Sequence, residues 1–463
     1  MKRREFLKSA MGAAAAAAAM PSILSGDVIP DDGSTRLPLA AVEFDHGRFA
    51  ANDAQTILVY LPGGMSDAVL NLNHLPQIIE EDLSSTPYRP GYLTATEHGF
   101  WEEAGGDVLE EMLASGDMTV FRTCYREHAS VAHGINEKRY CHGNDKGYES
   151  GIVTTLMHVL KEHGAVDEST LFPSVSIGGG FYKLLQDFAT DEPLAPTFRP
   201  VSFNRNFDNP YRYDRDDEGN VNLGDTVSNR RFNEADYNRR LNELMLRHNH
   251  FDALADVFNK RKEISDFIEE ARLRELPVEY PHTIDGKSFE TAMRILTGNP
   301  DTKIVTMIGG HSGWDDHSDA LTLHRKRARE MFEAIRAAVK HMREEKIENI
   351  NIVLFGDFGR NLNLNRSNGW DHGNNQAVLW FGGRKYLNTD KLGIVGETEL
   401  HVWLKKARLY NRPTPESFQF PAYNIAATLY AIYGVTNPEV LTGGYGIIDP
   451  SSHVAYDTPF LKS

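Results

Sequence analysis

Several apolar runs with the pattern of buried strands lie next to short loops rich in Gly, Asp and His. Three such loops, at 62–67, 309–317 and 356–360, follow the runs Thr56–Leu61, Lys303–Ile308 and Asn351–Phe355, and a fourth cluster at 368–373 precedes the run Gln376–Phe381. In an open α/β sheet, the loops beyond the carboxyl ends of the strands gather at one edge, where ligands bind. The pattern therefore predicts that residues distant in sequence share one site.

The remaining patterns complete an α/β prediction. Further strands are expected at Asp117–Arg122 and Pro173–Ile177, and helices at Ser130–Tyr140, Ser150–His163, Ala320–Glu344 and Tyr423–Tyr433. The long helix at 320–344 is predicted because its apolar residues recur at steps of three and four, with Lys and Arg between them. At about 185–300 the alternation of strands and helices is lost, which indicates a largely helical and loop insertion. We expect either one large α/β domain carrying this insertion or two domains.

Charge narrows the range of partners. The chain of 463 residues has a formal net charge of −16. An acidic surface disfavours nonspecific binding to nucleic acid, and no basic stripe along the sequence compensates for it. We therefore expect no nucleic-acid partner.

The N-terminus has the features of a targeting segment. Paired arginines, Arg3 and Arg4, precede Phe-Leu and the weakly apolar, Ala-rich stretch Ala10–Met20. This resembles a twin-arginine export signal, which implies the export machinery as a partner and a periplasmic or secreted protein. An N-terminal amphipathic or transmembrane helix is the alternative, but the stretch is shorter than the ~20 residues that span a bilayer, and we expect no span in the mature chain. The predicted organisation is a signal peptide at 1–25, a flexible segment at 26–52 and the folded domain at 53–463.

Four motifs resemble those of a known superfamily. The segment 56–67 is similar to the first strand and metal loop of the alkaline phosphatase superfamily, and Gly-Trp-Asp-x-His at 313–317, Asp-Phe-Gly-Arg at 357–360 and Asp-His-Gly at 371–373 are more specific. With the leader, they resemble a bacterial domain-of-unknown-function family of exported, sulfatase-like proteins in that superfamily. The resemblance implies a three-layer α/β/α sandwich, a divalent-metal site at the strand ends and hydrolysis of a phosphate or sulfate ester on an anionic small molecule or polymer.

The candidate metal ligands are acids and histidines of these loops. Such hydrolysis needs positive charge on the anion and an activated oxygen nucleophile, which divalent ions supply. Histidine nitrogen and carboxylate suit Zn²⁺, whereas Mn²⁺ or Ca²⁺ favours carboxylates. The expected ligands are Asp315, His317, Asp357 and His372, with His311 and Asp371 in reserve. An alternative is that the Asp-x-His motif only caps the helix that begins near Asp319.

One position departs from the superfamily. Gly63 stands where the superfamily loop carries a metal-binding Asp, and the next acid is Asp67, four residues later. Either Asp67 replaces that ligand from a shifted position or a second metal site is missing.

The nucleophile is expected near the start of the helix that follows the second strand. The superfamily places a hydroxyl or a matured Cys there, and the Cys-x-Pro-x-Arg maturation pattern of sulfatases is absent at both cysteines, Cys124 and Cys141. Ser130, with His133 one turn later, is the candidate catalytic pair; a plain N-cap serine is the alternative. The expected anion-binding residues are Arg122, Arg126 and Arg360, with buried ion pairs as the alternative.

Two other signals lie outside these motifs. Cys124 and Cys141 are expected to form a structural disulfide or to be inert thiols. Asp214–Asn222 has the spacing of a Ca²⁺ loop, although an exposed acidic turn is the preferred interpretation. Two functions remain open: an exported metal-dependent ester hydrolase, or a non-catalytic binding or assembly protein that keeps the fold and part of the ligand set.

Overall fold

The computed structural model describes residues 36–47, 52–80, 93–125, 132–187, 193–209, 214–215, 221–222, 252–310, 313–403, 408–444 and 460–461. The chain divides into two compact units. The first comprises Met1–Arg205 and Pro277–Ser463, and the second comprises Asn206–Leu276.

An eight-stranded sheet forms the centre of the first unit. Its strands are β1 (Gln55–Leu61), β2 (Met118–Tyr125), β3 (Ser174–Ile177), β4 (Val201–Phe203), β7 (Ile304–Ile308), β8 (Ile350–Gly356), β11 (Asn375–Gly382) and β12 (Ile394–Val395). Their spatial order is β12-β2-β11-β8-β1-β7-β3-β4. All neighbours pair in parallel except those of β11, which runs antiparallel to both β2 and β8. Seven strands therefore run one way and β11 runs the other way.

The reversed direction of β11 determines which residues reach the site. Asn375 at its start pairs with Tyr125 at the end of β2. Residues that precede β11 therefore lie at the same edge of the sheet as residues that follow the parallel strands. This explains why the cluster at 368–373 comes before its strand.

The described residues also form three two-stranded ladders, two in the first unit and one in the second. They are formed by β9 (Arg360–Leu364) with β10 (Trp370–His372), β13 (Thr398–Trp403) with β14 (Arg408–Pro413), and, in the second unit, β5 (Asp214–Arg215) with β6 (Val221–Asn222). The last ladder is antiparallel and joins the two ends of the candidate Ca²⁺ loop, as an acidic turn would. Residues 216–220 of that loop lie outside the described residues.

Eleven helices occur in the described part of the chain. They are α1 (Asp67–Leu70), α2 (Leu75–Glu80), α3 (Gly106–Ala114), α4 (His133–His142), α5 (Ile152–Glu162), α6 (Asp252–Leu273), α7 (Ile284–Gly298), α8 (Ala320–Glu344), α9 (Thr389–Leu392), α10 (Tyr423–Ile432) and α11 (Glu439–Thr442). None of these described helices is both long and apolar enough to cross a membrane.

The core lies on both faces of the central strands. Every residue of β1 and β8 is buried, so side chains that point to either face are covered. Such strands read as continuous apolar runs rather than as an alternation, which is typical of parallel sheets covered on both sides. One face carries Leu58, Tyr60 and Val353, which pack in a cluster with helices α5 and α10. The predicted α/β class, with a large and mostly parallel sheet, is confirmed.

The second unit contains the long helix α6. Asn209 donates its amide to Ser265 Oγ at 3.0 Å and to Glu269 Oε1 at 2.9 Å, one turn apart on that helix. The predicted boundaries of the insertion, 185–300, stay a prediction. Helix α7, which lies within that range, belongs to the first unit.

Candidate metal centre

The backbone of the loop after β1 contacts the loops at 313–317 and 357–360 closely. Gly63 and Gly64 have φ values of 94° and 73°, in the region that favours glycine. A Cβ on Gly63 would lie 2.4 Å from the backbone nitrogen of Asp315, and one on Gly64 would lie 1.9 Å from the carbonyl oxygen of Phe358. No side chain fits at either position. The loop at 313–317 therefore occupies the space that a side chain at position 63 would need.

Arg360 ties these loops together. Its side chain is fully buried. Nε donates to the carbonyl oxygens of Gly63 and Gly64 at 2.9 and 3.1 Å, Nη1 donates to Trp370 O at 2.7 Å, and Nη2 donates to Gly63 O at 2.6 Å and to Asp315 Oδ1. These bonds engage all three guanidinium nitrogens with protein acceptors. The predicted role of Arg360 in holding a substrate anion stays a prediction, and this geometry favours a role in positioning the loops.

Four donor atoms converge at the edge of the sheet where these loops meet. Nε2 of His317 lies 3.0 Å from Nε2 of His372 and 3.0 Å from Oδ1 of Asp315. Nε2 of His372 and Nε2 of His133 lie 3.4 and 3.1 Å from the same oxygen. One donor from each of the four residues lies within 4.8 Å of every other donor. His133 is the first residue of helix α4, Asp315 and His317 lie in the loop at 313–317, and His372 is the last residue of β10.

The spacing of these donors fits a small cation. With Zn–N and Zn–O bonds of about 2.0 to 2.2 Å, the donors of a tetrahedral zinc site lie about 3.3 Å apart. Four of the six donor pairs here are 3.0 to 3.4 Å apart, and the other two lie within 4.8 Å. Three imidazoles and one carboxylate suit Zn²⁺ better than Ca²⁺ or Mg²⁺, which prefer oxygen ligands. The residues present therefore fit the divalent ion that the sequence resemblance implies.

Two of the histidines contact a carboxylate through their second ring nitrogen. Nδ1 of His133 lies 2.5 Å from Oδ2 of Asp357, and Nδ1 of His317 lies 3.0 Å from Oδ1 of Asp371. The Asp357 carboxylate is fully buried, whereas that of Asp371 is 42% exposed and also accepts a hydrogen bond from Asn365 at 3.1 Å. Neither acid belongs to the group of four convergent donors.

Behind the cluster, a buried group supports the loop at 313–317. Asp316 Oδ2 lies 2.5 Å from Nδ1 of His324 and accepts from Nη1 of Arg327 at 2.8 Å. The His324 ring lies between Trp314 and Trp370, with ring centroids 5.2 and 5.1 Å away. Asp315 and His317 thus flank a residue that points into the protein, and this arrangement turns both of them toward the cluster.

The alternative that this motif caps the following helix is not observed. The N-cap residue of α8 is Asp319, in a left-handed conformation, and its side chain makes no capping hydrogen bond.

The local charges favour an ionised Asp315. Burial raises the pKa of its carboxyl group, but the hydrogen bond and charge of Arg360 outweigh that effect and lower the pKa to about 2. For His133, the hydrogen bond to Asp357 raises the pKa. Asp315 and His317 are 49% and 45% exposed, so an ion held here would be accessible from solvent.

Asp67 and Arg122 lie apart from the four donors. Asp67 is buried at the start of α1 and accepts from Asn375 Nδ2 at 3.2 Å, and burial raises its pKa to about 7. Arg122 is also buried and donates through Nη2 to the carbonyl oxygens of Leu70, at 3.0 Å, and His98. The roles proposed for Asp67 as a metal ligand and for Arg122 as an anion-binding residue stay predictions. The position of Arg122 favours its alternative, a buried structural residue.

Other predicted site residues lie outside the described residues, namely Ser130, Arg126 and His311. Both cysteines are described, and both are free and buried. Burial raises the pKa of the Cys124 thiol to about 12, which makes it unreactive at neutral pH. Inert thiols are therefore the interpretation that the structure favours over a disulfide.

Comparison with known proteins gives limited further information. Residues 238–397, about a third of the chain, match a family described as "Protein of unknown function (DUF1501)". None of the curated proteins matches the chain. Among solved structures, the lipoteichoic acid synthase LtaP from Listeria monocytogenes is similar with a TM-score of 0.34 and 10% sequence identity, over 86% of this chain and 76% of that chain.

Proposed function

We propose that the protein is an exported, metal-dependent hydrolase of phosphate or sulfate esters with a three-layer alkaline-phosphatase-like fold. The convergence of His133, Asp315, His317 and His372 at the carboxyl edge of the sheet is the observation that carries the proposal. This edge is where α/β proteins bind their ligands. The motif resemblance supplies the reaction class, and the paired arginines of the leader supply the export route.

The protein contributes to this chemistry by holding and exposing the ion. A divalent ion at such a site would supply positive charge for an anionic ester and would lower the pKa of an oxygen nucleophile. Three neutral imidazoles and one carboxylate leave a Zn²⁺ site with a net positive charge, and Arg360 beside Asp315 adds to it. The solvent exposure of Asp315 and His317 leaves room for a further ligand, which a catalytic site requires.

Zn²⁺ is the ion we propose, ahead of Mn²⁺ and Ca²⁺, because of the three histidine donors. The sequence predicts Ser130 and His133 as a catalytic pair, with Ser130 as the nucleophile. Since His133 Nε2 lies within the donor cluster, we propose His133 as a ligand and keep Ser130 as the candidate nucleophile.

A non-catalytic binding or assembly protein is the second candidate. It is favoured by the absence of an acid at the position of Gly63, where a side chain has no space, and by the position of Asp67 outside the four donors. A superfamily site that lacks this ligand would hold one ion rather than two. Four protein donors also resemble the closed shell of a structural zinc site.

Metal analysis and a hydrolysis panel test the proposal together. Purified protein should retain about one Zn²⁺ per chain and hydrolyse at least one aryl phosphate monoester, diester or sulfate. His317→Ala and His372→Ala should each lower zinc content and turnover together. His282→Ala is the matched control, because this histidine is 90% exposed and does not belong to the cluster.

The outcomes separate the two candidates. Zinc without turnover on any ester of the panel would reject the hydrolase and favour the binding protein. Purified protein without zinc would reject the proposed metal site, and with it both the metal-dependent hydrolase and the zinc-containing binding protein. Ser130→Ala should abolish turnover at unchanged zinc content if its hydroxyl is the nucleophile, and should leave turnover unchanged if it is not. The N-cap residue of α4 is Ala132, so the N-cap alternative for Ser130 is not observed.

A further inference from the structure

Two acids beside the cluster were candidate metal ligands: Asp357 follows β8, and Asp371 lies in β10, in the segment that precedes β11. Asp357 also forms a group of three possible donors with His133 and Glu137, but neither acid belongs to the group of four. Each places a carboxylate oxygen against Nδ1 of a histidine whose Nε2 belongs to the cluster, at 2.5 Å for Asp357 with His133 and at 3.0 Å for Asp371 with His317. The same arrangement thus occurs twice at one centre.

We propose that Asp357 and Asp371 are positioning residues that act through His133 and His317, and that neither binds the ion directly. This inference rests on the proposed metal site, but not on hydrolysis. It reassigns two acids that sequence motifs place among the ligands.

The chemistry of imidazole explains why a carboxylate is needed. A neutral imidazole carries one proton on either ring nitrogen, and only the nitrogen without the proton offers a lone pair to an ion. A carboxylate beside Nδ1 accepts a hydrogen bond from the Nδ1–H group. Nε2 is then unprotonated, and its lone pair can bind the ion. The carboxylate also fixes the rotation of the ring about its Cβ bond.

The geometry at His133 matches this requirement. Its Nε2 lies 3.1 Å from Asp315 Oδ1 without the alignment of a hydrogen bond to the described residues. Its other ring nitrogen, Nδ1, contacts Asp357, which directly follows β8. The Asp357 side chain is fully buried and therefore cannot turn toward solvent. The ring is thus fixed with one nitrogen on a rigid acid and the other directed into the cluster.

The difference in burial between the two acids predicts which of them matters more for binding of the ion. Asp357 is fully buried and Asp371 is 42% exposed, so solvent screens the second contact more strongly. The loss of either carboxylate should weaken the ion's binding, with the larger effect at Asp357. Removal of such an outer partner typically lowers metal affinity 10–100-fold.

A double-mutant cycle tests whether Asp357 acts through His133. Zn²⁺ affinity is measured by competition with a chromogenic chelator for the full chain, Asp357→Asn, His133→Ala and the double variant. Asp357→Asn alone should lower affinity about 10–100-fold. In the His133→Ala background it should change affinity less than about threefold, because the partner through which it acts is gone.

Two results would overturn the proposal. An equal loss in both backgrounds would make Asp357 a direct ligand, and no loss in the wild-type background would make the contact irrelevant. The parallel cycle with Asp371→Asn and His317→Ala is judged in the same way, with a smaller first effect. Asp117→Asn is the control, since Asp117 is a buried acid that pairs with Arg343 and Arg384 at the opposite end of β2 and should leave zinc affinity unchanged.

A second measurement covers the case in which His133→Ala binds too little zinc to compare. In ¹⁵N spectra of the zinc-loaded wild-type protein, His133 should carry its proton on Nδ1. A proton-free Nδ1 would refute the proposal. Because both readouts concern the ion alone, failure of hydrolysis with this pattern intact would reject the proposed enzyme and leave the positioning roles standing.

Discussion

Arg360→Lys is the most informative single change in this protein. The guanidinium of Arg360 reaches the carbonyl oxygens of Gly63, Gly64 and Trp370 as well as Asp315, all from a fully buried position. Lysine keeps the positive charge but offers one nitrogen in place of a rigid fork of donors. It can satisfy one or two of these acceptors, so about two buried acceptors are left unpaired.

The expected cost follows from those acceptors. An unsatisfied buried polar group costs about 1–3 kcal/mol, so the substitution should destabilise the protein by about 4 kcal/mol. For a folded unit of roughly 400 residues, with an unfolding entropy of about 2.1 cal/mol/K per residue, that loss corresponds to a fall of about 5 °C in Tm. Zinc content should fall as well, because Asp315 loses its partner.

Differential scanning calorimetry of the full chain measures the shift. Arg412→Lys is the control: Arg412 pairs with Glu399 at a position where both side chains are about 40% exposed, and the change should shift Tm by less than about 1 °C. If Arg360 instead binds a substrate anion, Arg360→Lys would raise KM and leave Tm and zinc content unchanged. That result would refute the structural role deduced here.

Three further predictions concern the buried titratable groups and the leader. Burial raises the pKa of Asp67 to about 7 in the folded protein, above its unfolded value, so the folded state binds the extra proton and stability falls as pH rises from about 4 to 7. Asp67→Asn should therefore raise Tm more at pH 8 than at pH 5; a loss of zinc instead would make Asp67 a ligand. Burial lowers the pKa of His324 to about 4, below its unfolded value, so stability should fall as pH drops from about 6.5 to 4. His324→Asn should flatten that part of a Tm-against-pH profile, and an unchanged slope would contradict the assignment. Arg3→Lys combined with Arg4→Lys should leave the precursor in the cytoplasm on cell fractionation, and efficient export of this double variant would show that the leader is of another type.

The strands were predictable because their signal is local. Buried parallel strands appear as continuous apolar runs, and the glycines after them mark tight loops, so β1, β7, β8 and β11 begin and end within two residues of their predicted bounds. The gathering of the loops at one edge follows from strand direction alone. The sequence alone therefore predicts that Asp315, His317 and His372 share one site.

The roles within the site depend on distances that a sequence does not encode. An acid that binds an ion and an acid that contacts a histidine ligand differ only in the position of the carboxylate, by a few ångströms. In the sequence, Asp357 and Asp315 both appear as acids in Gly-containing motifs. Arg360 looks like an anion-binding residue until its burial is known. The sequence predicts His133 only as a catalytic partner of Ser130, whereas its place among the donors follows from the packing of α4 against the end of β8, which is a tertiary effect.

The reversed strand β11 has a consequence for assembly of the centre. The strand β8 ends and the antiparallel strand β11 begins at the same edge of the sheet. The short stretch between them, from Asp357 to Asn375, therefore supplies several of the groups at the site. The contact between His133 and Asp357, by contrast, spans 224 residues. A loop of that length closes late, since its entropy cost must be met by the rest of the fold. The four donors should therefore come together only in the fully folded chain. Retention of the proposed zinc ion would then report that folding is complete.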